Sequence, residues 1–241
     1  AASVENTVIP GKCVAAAIDL HKRLGIAPTG ARRCGLDVSD EEGRDDNAIV
    51  FAVGTCIEDI DSWNGVDTTQ TAAKAAAFAQ NNYAQYVNYD SIGVGSGIRG
   101  AAKSLPMRFY PVNVGSTRLT GYVMDNQEKL NADHYLNLRS KLHWELRIRF
   151  QRTYQHVQGI KEWSMDEMIS IPNHPGLIAE LSQPTFDYTD TGKIKIESKK
   201  DMKKRGVDSP NYLDALTILM AKTVNPRLEP QRPQVKRKGW T

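Results

Sequence analysis

The sequence predicts an α/β protein with a central mixed sheet flanked by helices. Two predicted strands, residues 34–38 and 48–53, are joined by an acidic, glycine-containing turn, and a third strand follows around residues 55–60. The alanine-rich helix in "TTQTAAKAAAFAQNNY" leads directly into the strand "AQYVNYD", which is a strand–helix–strand unit. The segment "NADHYLNLRSKLHWELRIRFQR" predicts an amphipathic helix that packs on the sheet through a stripe of Tyr135, Leu138, Leu142 and Leu146.

Composition excludes several classes of protein. The chain has 241 residues with 40% hydrophobic composition, enough for one sizeable core. There is no apolar run of about 18 residues to span a bilayer and no secretory leader pattern, so a soluble intracellular protein is expected. Cys13, Cys34 and Cys56 are odd in number and widely spaced, which predicts reduced, mostly buried thiols. The histidines show no paired ligand spacing, which argues against histidine-ligated zinc.

Three appendages are predicted around the core domain, which is expected over residues 32–224. Residues 1–31 predict a short leading helix, introduced by Pro10 and Gly11, and a linker. Two alternating segments around Asp190-Thr191-Gly192 predict an added β-hairpin.

From residue 199 onward the chain has a net charge of +7, which suits either phosphate contacts or a solvated surface. Prolines and scattered charges predict a basic, disordered tail over residues 225–241.

Three aspartates stand out as candidate functional residues. Asp90 ends a predicted strand before a glycine-rich loop, Asp37 interrupts the first strand, and Asp214 lies in the first turns of a late helix. Each has a plain structural explanation, as a turn residue, a hydrogen-bonded strand-end residue and a helix-start acid respectively. Together, three carboxylates from separate parts of an α/β fold suit a site for two magnesium or manganese ions and phosphodiester hydrolysis.

Four segments, taken in order, carry a resemblance to a known family. They are "GLDVSDEEGRDDNAIV", "YDSIGVGSGI", "NADHYLNLRSKLHWELRIRF" and "KIKIESKKDMKKRGVDSPNYLDAL". This series resembles the C-terminal nuclease domain of the large terminase subunit of tailed bacteriophages. The last segment is the most specific, because a basic run before "SP…DAL" is hard to obtain from a generic α/β domain. The resemblance implies a ribonuclease H-like fold.

The resemblance also implies particular site residues. Metal-binding aspartates would be Asp37, Asp90 and Asp214, which would hold two Mg²⁺ or Mn²⁺ ions. An accessory acid would be Asp45, with Asp46 as the alternative. Residues near the DNA path would be Lys199, Lys200, Lys203, Lys204 and Arg205.

The activity implied is metal-dependent endonucleolytic cleavage of concatemeric double-stranded viral DNA, with low sequence specificity, during genome packaging. The implied partners are DNA, the terminase small subunit, the portal protein and an ATPase motor that precedes residues 1–31 in the full-length subunit. The implied location is the host cytoplasm. Two alternatives stay open: a resolvase- or transposase-type nuclease of the same fold, and a non-catalytic module that grips DNA or the portal.

Overall fold

A five-stranded mixed sheet forms the centre of the molecule, with strand order β3-β2-β1-β4-β5. The computed structural model describes residues 6–39 and 46–222. The strands are β1 (Arg32–Asp37), β2 (Asn47–Val53), β3 (Cys56–Trp63), β4 (Tyr86–Asp90) and β5 (Phe109–Val112). β1, β2 and β3 pair antiparallel, whereas β4 runs parallel to both β1 and β5. The predicted mixed α/β sheet is confirmed.

Helices cover both faces of this sheet, and two short hairpins are added to it. The helices are α1 (Gly11–Ala17), α2 (Leu20–Arg23), α3 (Thr68–Asn81), α4 (Ile98–Ala101), α5 (Asn131–His134), α6 (Leu138–Val157), α7 (Pro175–Leu181), α8 (Lys199–Lys204) and α9 (Asn211–Leu219). The hairpins are β6 (Tyr122–Val123) with β7 (Asn126–Leu130), and β8 (Phe186–Tyr188) with β9 (Ile194–Ile196). The second hairpin is the one predicted around Asp190. None of the helices in the described residues is long and apolar enough to cross a bilayer.

Two local predictions need correction. The predicted amphipathic helix is interrupted, because Asn137 caps α6 by accepting a hydrogen bond from the Ser140 amide, so Tyr135 lies outside α6. The predicted leading helix is divided into α1 and α2 at Asp19, whose φ is 50°. The predicted strand–helix–strand unit is present, because α3 connects β3 to β4, and these two strands are separated in the sheet by β2 and β1.

Strand alternation assigns each side chain of β1 to one face. Cys34 and Leu36 belong to the apolar cluster that includes buried alanines of α3. Because successive side chains of a strand point to opposite faces, Gly35 and Asp37 face the other side, where α9 lies. The same alternation buries Asn88 on the α9 side of β4. Asp37 and Asn88 therefore both lie on the face of the sheet that α9 covers.

The leading segment packs into the main core rather than standing apart. Val8, Ile9, Cys13, Val14 and Ala17 are buried in the same cluster as residues of α6, α7 and α9. The three cysteines are buried free thiols, as predicted. That the leading segment follows a motor domain stays a prediction, and the predicted tail lies outside the described residues.

Gly35 allows α9 to cross β1 at close range. A Cβ at this position would collide with the backbone oxygen of Ala215 and would lie 2.5 Å from the Leu219 amide nitrogen. We expect Gly35→Ala to lower the free energy of unfolding by about 1–3 kcal/mol, because overpacking at backbone contacts displaces the helix. Gly100→Ala is the matched control, since a Cβ there meets no atom within 4 Å. Urea unfolding of both variants checks this, and equal stabilities would contradict it.

Candidate active site

Three aspartates from separate elements line one cavity of about 400 Å³. Asp37 ends β1, Asp90 ends β4, and Asp214 lies in the first turn of α9. β1 and β4 are parallel neighbours, so their carboxyl ends meet at one edge of the sheet, where ligands of open α/β sheets bind. The structure therefore brings together the three carboxylates singled out in the sequence.

A lysine ammonium lies between two of these carboxylates. Lys199 Nζ is 3.0 Å from Asp37 Oδ2 and 2.9 Å from Asp214 Oδ2. Both aspartates are buried, and a buried carboxylate requires a partner of opposite charge. The resemblance implied Lys199 as one of a row of residues near the DNA path; the structure places it in the cavity, and its contact with DNA stays a prediction.

The electrostatics of the cavity favour a bound cation. Burial raises the pKa of the Asp37 carboxyl, and the Lys199 ammonium only partly opposes this. Burial also raises the pKa of Asp90. Burial would raise the pKa of Asp214 too, but Lys199 and the Arg139 guanidinium outweigh it and hold that pKa below its usual value. Gathering like charges in a poorly solvated cavity is unfavourable unless positive charge is present.

Two residues of α6 also contact Asp214 and were missed in the sequence. Arg139 Nη2 and His143 Nε2 lie 3.6 Å and 3.8 Å from Asp214 Oδ1. His143 Nδ1 lies 3.0 Å from the Arg139 carbonyl oxygen and donates to it, and burial together with Arg139 lowers the pKa of His143 to about 3. The imidazole is therefore neutral. The available signal was an arginine and a histidine spaced i, i+4 beside the apolar stripe of an amphipathic helix.

Contacts at both ends of α9 fix the position of Asp214. Near the N-terminus of α9, Glu180 Oε2 accepts a hydrogen bond of 2.9 Å from the Leu213 amide. This contact caps the helix, because Pro210 at the N-cap position makes no side-chain capping hydrogen bond. At the C-terminal end, Asn88 Nδ2 donates to the carbonyl oxygens of Ile218 and Ala221. These two polar contacts, with the close approach at Gly35, set the height and rotation of the helix over the sheet.

Much of the positive charge in the basic run around α8 is paired within the protein. Lys204 Nζ lies 2.8 Å from Asp201 Oδ1, and Arg205 Nη2 lies 2.8 Å from Glu197 Oε2. Lys203 also has an intramolecular partner. Lys200 is exposed. The predicted DNA contacts therefore lie next to the cavity, but they are not an array of free cations.

Of the two predicted accessory acids, only Asp46 is among the described residues. Asp45 is outside the described residues. Asp46 is described, and its Oδ1 accepts a hydrogen bond of 2.8 Å from Asn64 Nδ2 rather than lining the cavity. Across residues 6–39 and 46–222, no three His, Cys, Asp or Glu side chains are spaced as a ready-made ion site. In this structure the Lys199 ammonium is the positive group between Asp37 and Asp214.

Solved structures of known proteins share this fold. The nuclease domain of the large terminase subunit of bacterial virus Sf6 superimposes with a TM-score of 0.83 at 25% sequence identity, covering 90% of this chain and 99% of that one. The chain has the structure of a phage large-terminase nuclease domain. The resemblance and the ribonuclease H-like fold expected from the sequence are thereby confirmed.

Two further terminase nuclease structures are similar to this chain. A lysine-to-alanine variant of the Sf6 nuclease domain, with manganese and beta-thujaplicinol, gives a TM-score of 0.83 at 24% identity over 90% of this chain and 99% of that chain. The terminase nuclease of thermophilic phage G20c gives 0.57 at 14% identity over 89% and 97% of the two chains, a likeness of fold alone. No protein-family model and no curated protein sequence matches the chain.

Replacing Lys199 tests its role between the two carboxylates. We expect Lys199→Ala to lower the free energy of unfolding by about 1–3 kcal/mol at neutral pH in EDTA, because two buried carboxylates lose their counter-charge. This is below the cost of a fully buried pair, since the Lys199 side chain is 42% exposed. The loss should shrink on acidification, as Asp37, whose pKa is raised, takes up a proton first. Thermal melts of Lys199→Ala over a range of pH measure this, with Lys200→Ala as the control. Equal stability losses in the two variants would contradict the prediction.

Glu180 should give the terminase-type fold a distinct pH dependence. Burial raises the pKa of Glu180 to about 8, above its ordinary value of 4.5. The folded state therefore holds a proton that the unfolded chain releases, so this contribution to stability is present at low pH and lost as the pH rises through about 8. Between pH 4.5 and about 8, the free energy of unfolding of the wild type should fall by roughly 1–3 kcal/mol relative to that of Glu180→Gln. This figure is discounted for the partial exposure of Glu180. Urea unfolding at several pH values, with Glu128→Gln as the control, checks the slope. Parallel curves for wild type and Glu180→Gln would count against it.

Proposed function

We propose that this chain is a metal-dependent endonuclease that cuts concatemeric double-stranded viral DNA during genome packaging, using two Mg²⁺ or Mn²⁺ ions. The observation that carries the proposal is the convergence of Asp37, Asp90 and Asp214 on one cavity. Its context is a fold shared over nine-tenths of the chain with the Sf6 terminase nuclease domain. The structure of a lysine-to-alanine variant of that domain with manganese is also known.

The residues present fit divalent cations. Carboxylate oxygens are the ligands that magnesium and manganese prefer. The Lys199 ammonium acts as a stand-in ion, because it shows that Asp37 and Asp214 are oriented around a shared position for positive charge. Asp37, Asp90 and Asp214 would hold the ions, and Lys199 would move aside. Bound ions would supply Lewis-acid stabilisation of the phosphodiester and activation of water.

The remaining cavity residues have roles that follow from their chemistry. Arg139 Nη2 is buried and makes no hydrogen bond with any described residue, so it is available to a phosphate oxygen. His143 is neutral and adds no charge beside Asp214. The walls include Val38, Ile92 and Val114, which make one side of the site apolar. The chain therefore contributes orientation and charge balance, and no serine, cysteine or histidine nucleophile is required.

The substrate side of the proposal uses the basic run next to the cavity. Lys200, Lys203, Lys204 and Arg205 would meet phosphates of the DNA, by exchanging their internal carboxylate partners where these exist. Such contacts position DNA without reading its sequence, so cleavage should have low sequence specificity. We further propose the terminase small subunit, the portal and a motor domain in cis as the partners, and the host cytoplasm as the place of action.

Carboxamide variants test the proposal directly. We expect Asp37→Asn, Asp90→Asn and Asp214→Asn each to lower cleavage by at least about 100-fold, because removing even the residues that support metal ligands costs about 10–100-fold. The measurement is nicking and linearisation of supercoiled plasmid with Mn²⁺, Mg²⁺ or EDTA. Thermal melts of each variant establish that it is folded.

Asp187→Asn is the matched control, because Asp187 is an exposed acid on β8, outside the cavity. It should cut at the wild-type rate. Plasmid cutting that persists in EDTA, or in the three cavity variants, would overturn the proposal. DNA binding without metal-dependent cutting in the wild type would instead favour the non-catalytic docking module.

A further inference from the structure

A second, larger groove runs along the edge strand β5, with a volume of about 920 Å³. Its walls come from β5 and the loop after it, the first turns of α6, the β6–β7 hairpin and the chain that follows α9. We call it the edge groove and define it by Asn113, Ser116, Arg118, Gln127, Lys141 and Lys222. The function proposed above assigns nothing to this surface.

The edge groove and the active-site cavity share a wall. Along the chain after β5, Asn113 lines the groove and Val114 lines the cavity; at the start of α6, Leu138 lines the groove and Arg139 the cavity. One small apolar cluster, which contains Val112, Leu142 and Ile218 with Val114 and Leu138 packed against it, separates the two. A chain-like ligand that lies in the cavity can therefore continue into the groove.

Several groove residues belong to a basic stretch of the sequence. Between Asp90 and Asp125 there are four basic residues, Arg99, Lys103, Arg108 and Arg118, and no acid. Arg118 and Lys222 are exposed groove residues, and neither forms an ion pair with the residues that the structure describes. The groove's acid, Glu145, is paired with Lys141 at 2.7 Å. The groove therefore has a net positive charge. In contrast to the basic run around α8, this charge is not paired with carboxylates of the described residues.

The chemistry of the groove favours a phosphate backbone over a peptide. A peptide would add to the exposed edge of β5, but Pro111 removes a backbone donor from that strand. Amide and hydroxyl side chains, including Asn113, Ser116 and Gln127, line the groove beside the free cations. This mixture of polar groups and cations is typical of surfaces that contact nucleic-acid phosphates and sugars.

We propose that the edge groove is a DNA-binding surface that holds the phosphate backbone of the DNA strand continuing from the active-site cavity. The proposal rests on the nuclease function proposed above and gives the DNA a direction across the molecule. In this arrangement Arg118 and Lys222 contact phosphates beyond the shared wall. The backbone passes from the three aspartates over Val114 and along β5.

The test is DNA affinity in EDTA, where no cutting occurs, measured by fluorescence anisotropy of a labelled duplex over a range of salt concentrations. The test variant is Arg118→Ala/Lys222→Ala. The matched control is Lys74→Ala/Lys161→Ala, which removes the same charge from exposed positions outside both cavities. The test variant should lower the slope of log affinity against log salt by about two, one for each phosphate contact, and weaken binding about tenfold or more at low salt. The control should keep the wild-type slope.

Plasmid cleavage at saturating DNA adds a second readout. The test variant should cut at the wild-type rate once saturated, because the groove binds DNA and does not take part in the chemistry. Equal salt slopes for the test and control variants would overturn the proposal, as would normal affinity combined with slower cutting. The two proposals fail separately: full cutting by the aspartate variants would reject the nuclease site, while a slope change in the groove variant would still establish the surface.

Discussion

The Lys199 ammonium and the carboxylates of Asp37 and Asp214 form the interaction on which the rest of the site depends. Burial disfavours ionised carboxylates and the repulsion between neighbouring carboxylates adds to this, so the pKa values of Asp37 and Asp90 are raised. The ammonium, 3.0 Å and 2.9 Å from the two side chains, offsets that repulsion while the site holds no other cation. In the proposed function, the same cluster would accept divalent ions once the lysine moves away. One side chain thus links the folding stability of the domain to its proposed chemistry.

The residues around this cluster fix the position of α9 on the sheet. Parallel pairing of β1 and β4 fixes Asp37 and Asp90 at one edge of the sheet, but Asp214 arrives from a helix more than a hundred residues later. Its position depends on close backbone contact at Gly35, on the Glu180 carboxyl group at the start of α9 and on the Asn88 amide at its end. A glycine, a half-buried carboxyl group and a buried amide therefore position a residue of the proposed reaction without taking part in it.

Charge is distributed unequally between two basic surfaces. Around α8, most cations have internal partners, so part of their charge serves the fold. Along β5, Arg118 and Lys222 are exposed and form no ion pair with described residues. An internal ion pair must be exchanged before a phosphate can bind, whereas a solvated cation needs only to release its counterions. The two surfaces would therefore differ in how strongly salt weakens their contribution to DNA affinity.

The sequence by itself determined β1 to β4, the alanine-rich helix, the β8–β9 hairpin and the three candidate aspartates, because alternation, helix propensity and turn residues act over short distances; it did not reveal the β6–β7 hairpin. It also carried the terminase resemblance. It misplaced the start of α6, since the Asn137 cap depends on a local hydrogen bond that the apolar stripe does not reveal. Only the tertiary structure decided that Lys199 enters the cavity, that Arg139 and His143 contact Asp214, and that Glu180 caps α9. Each of these contacts joins residues far apart in the chain, and their pairing is set by how helices pack on the sheet rather than by any local pattern.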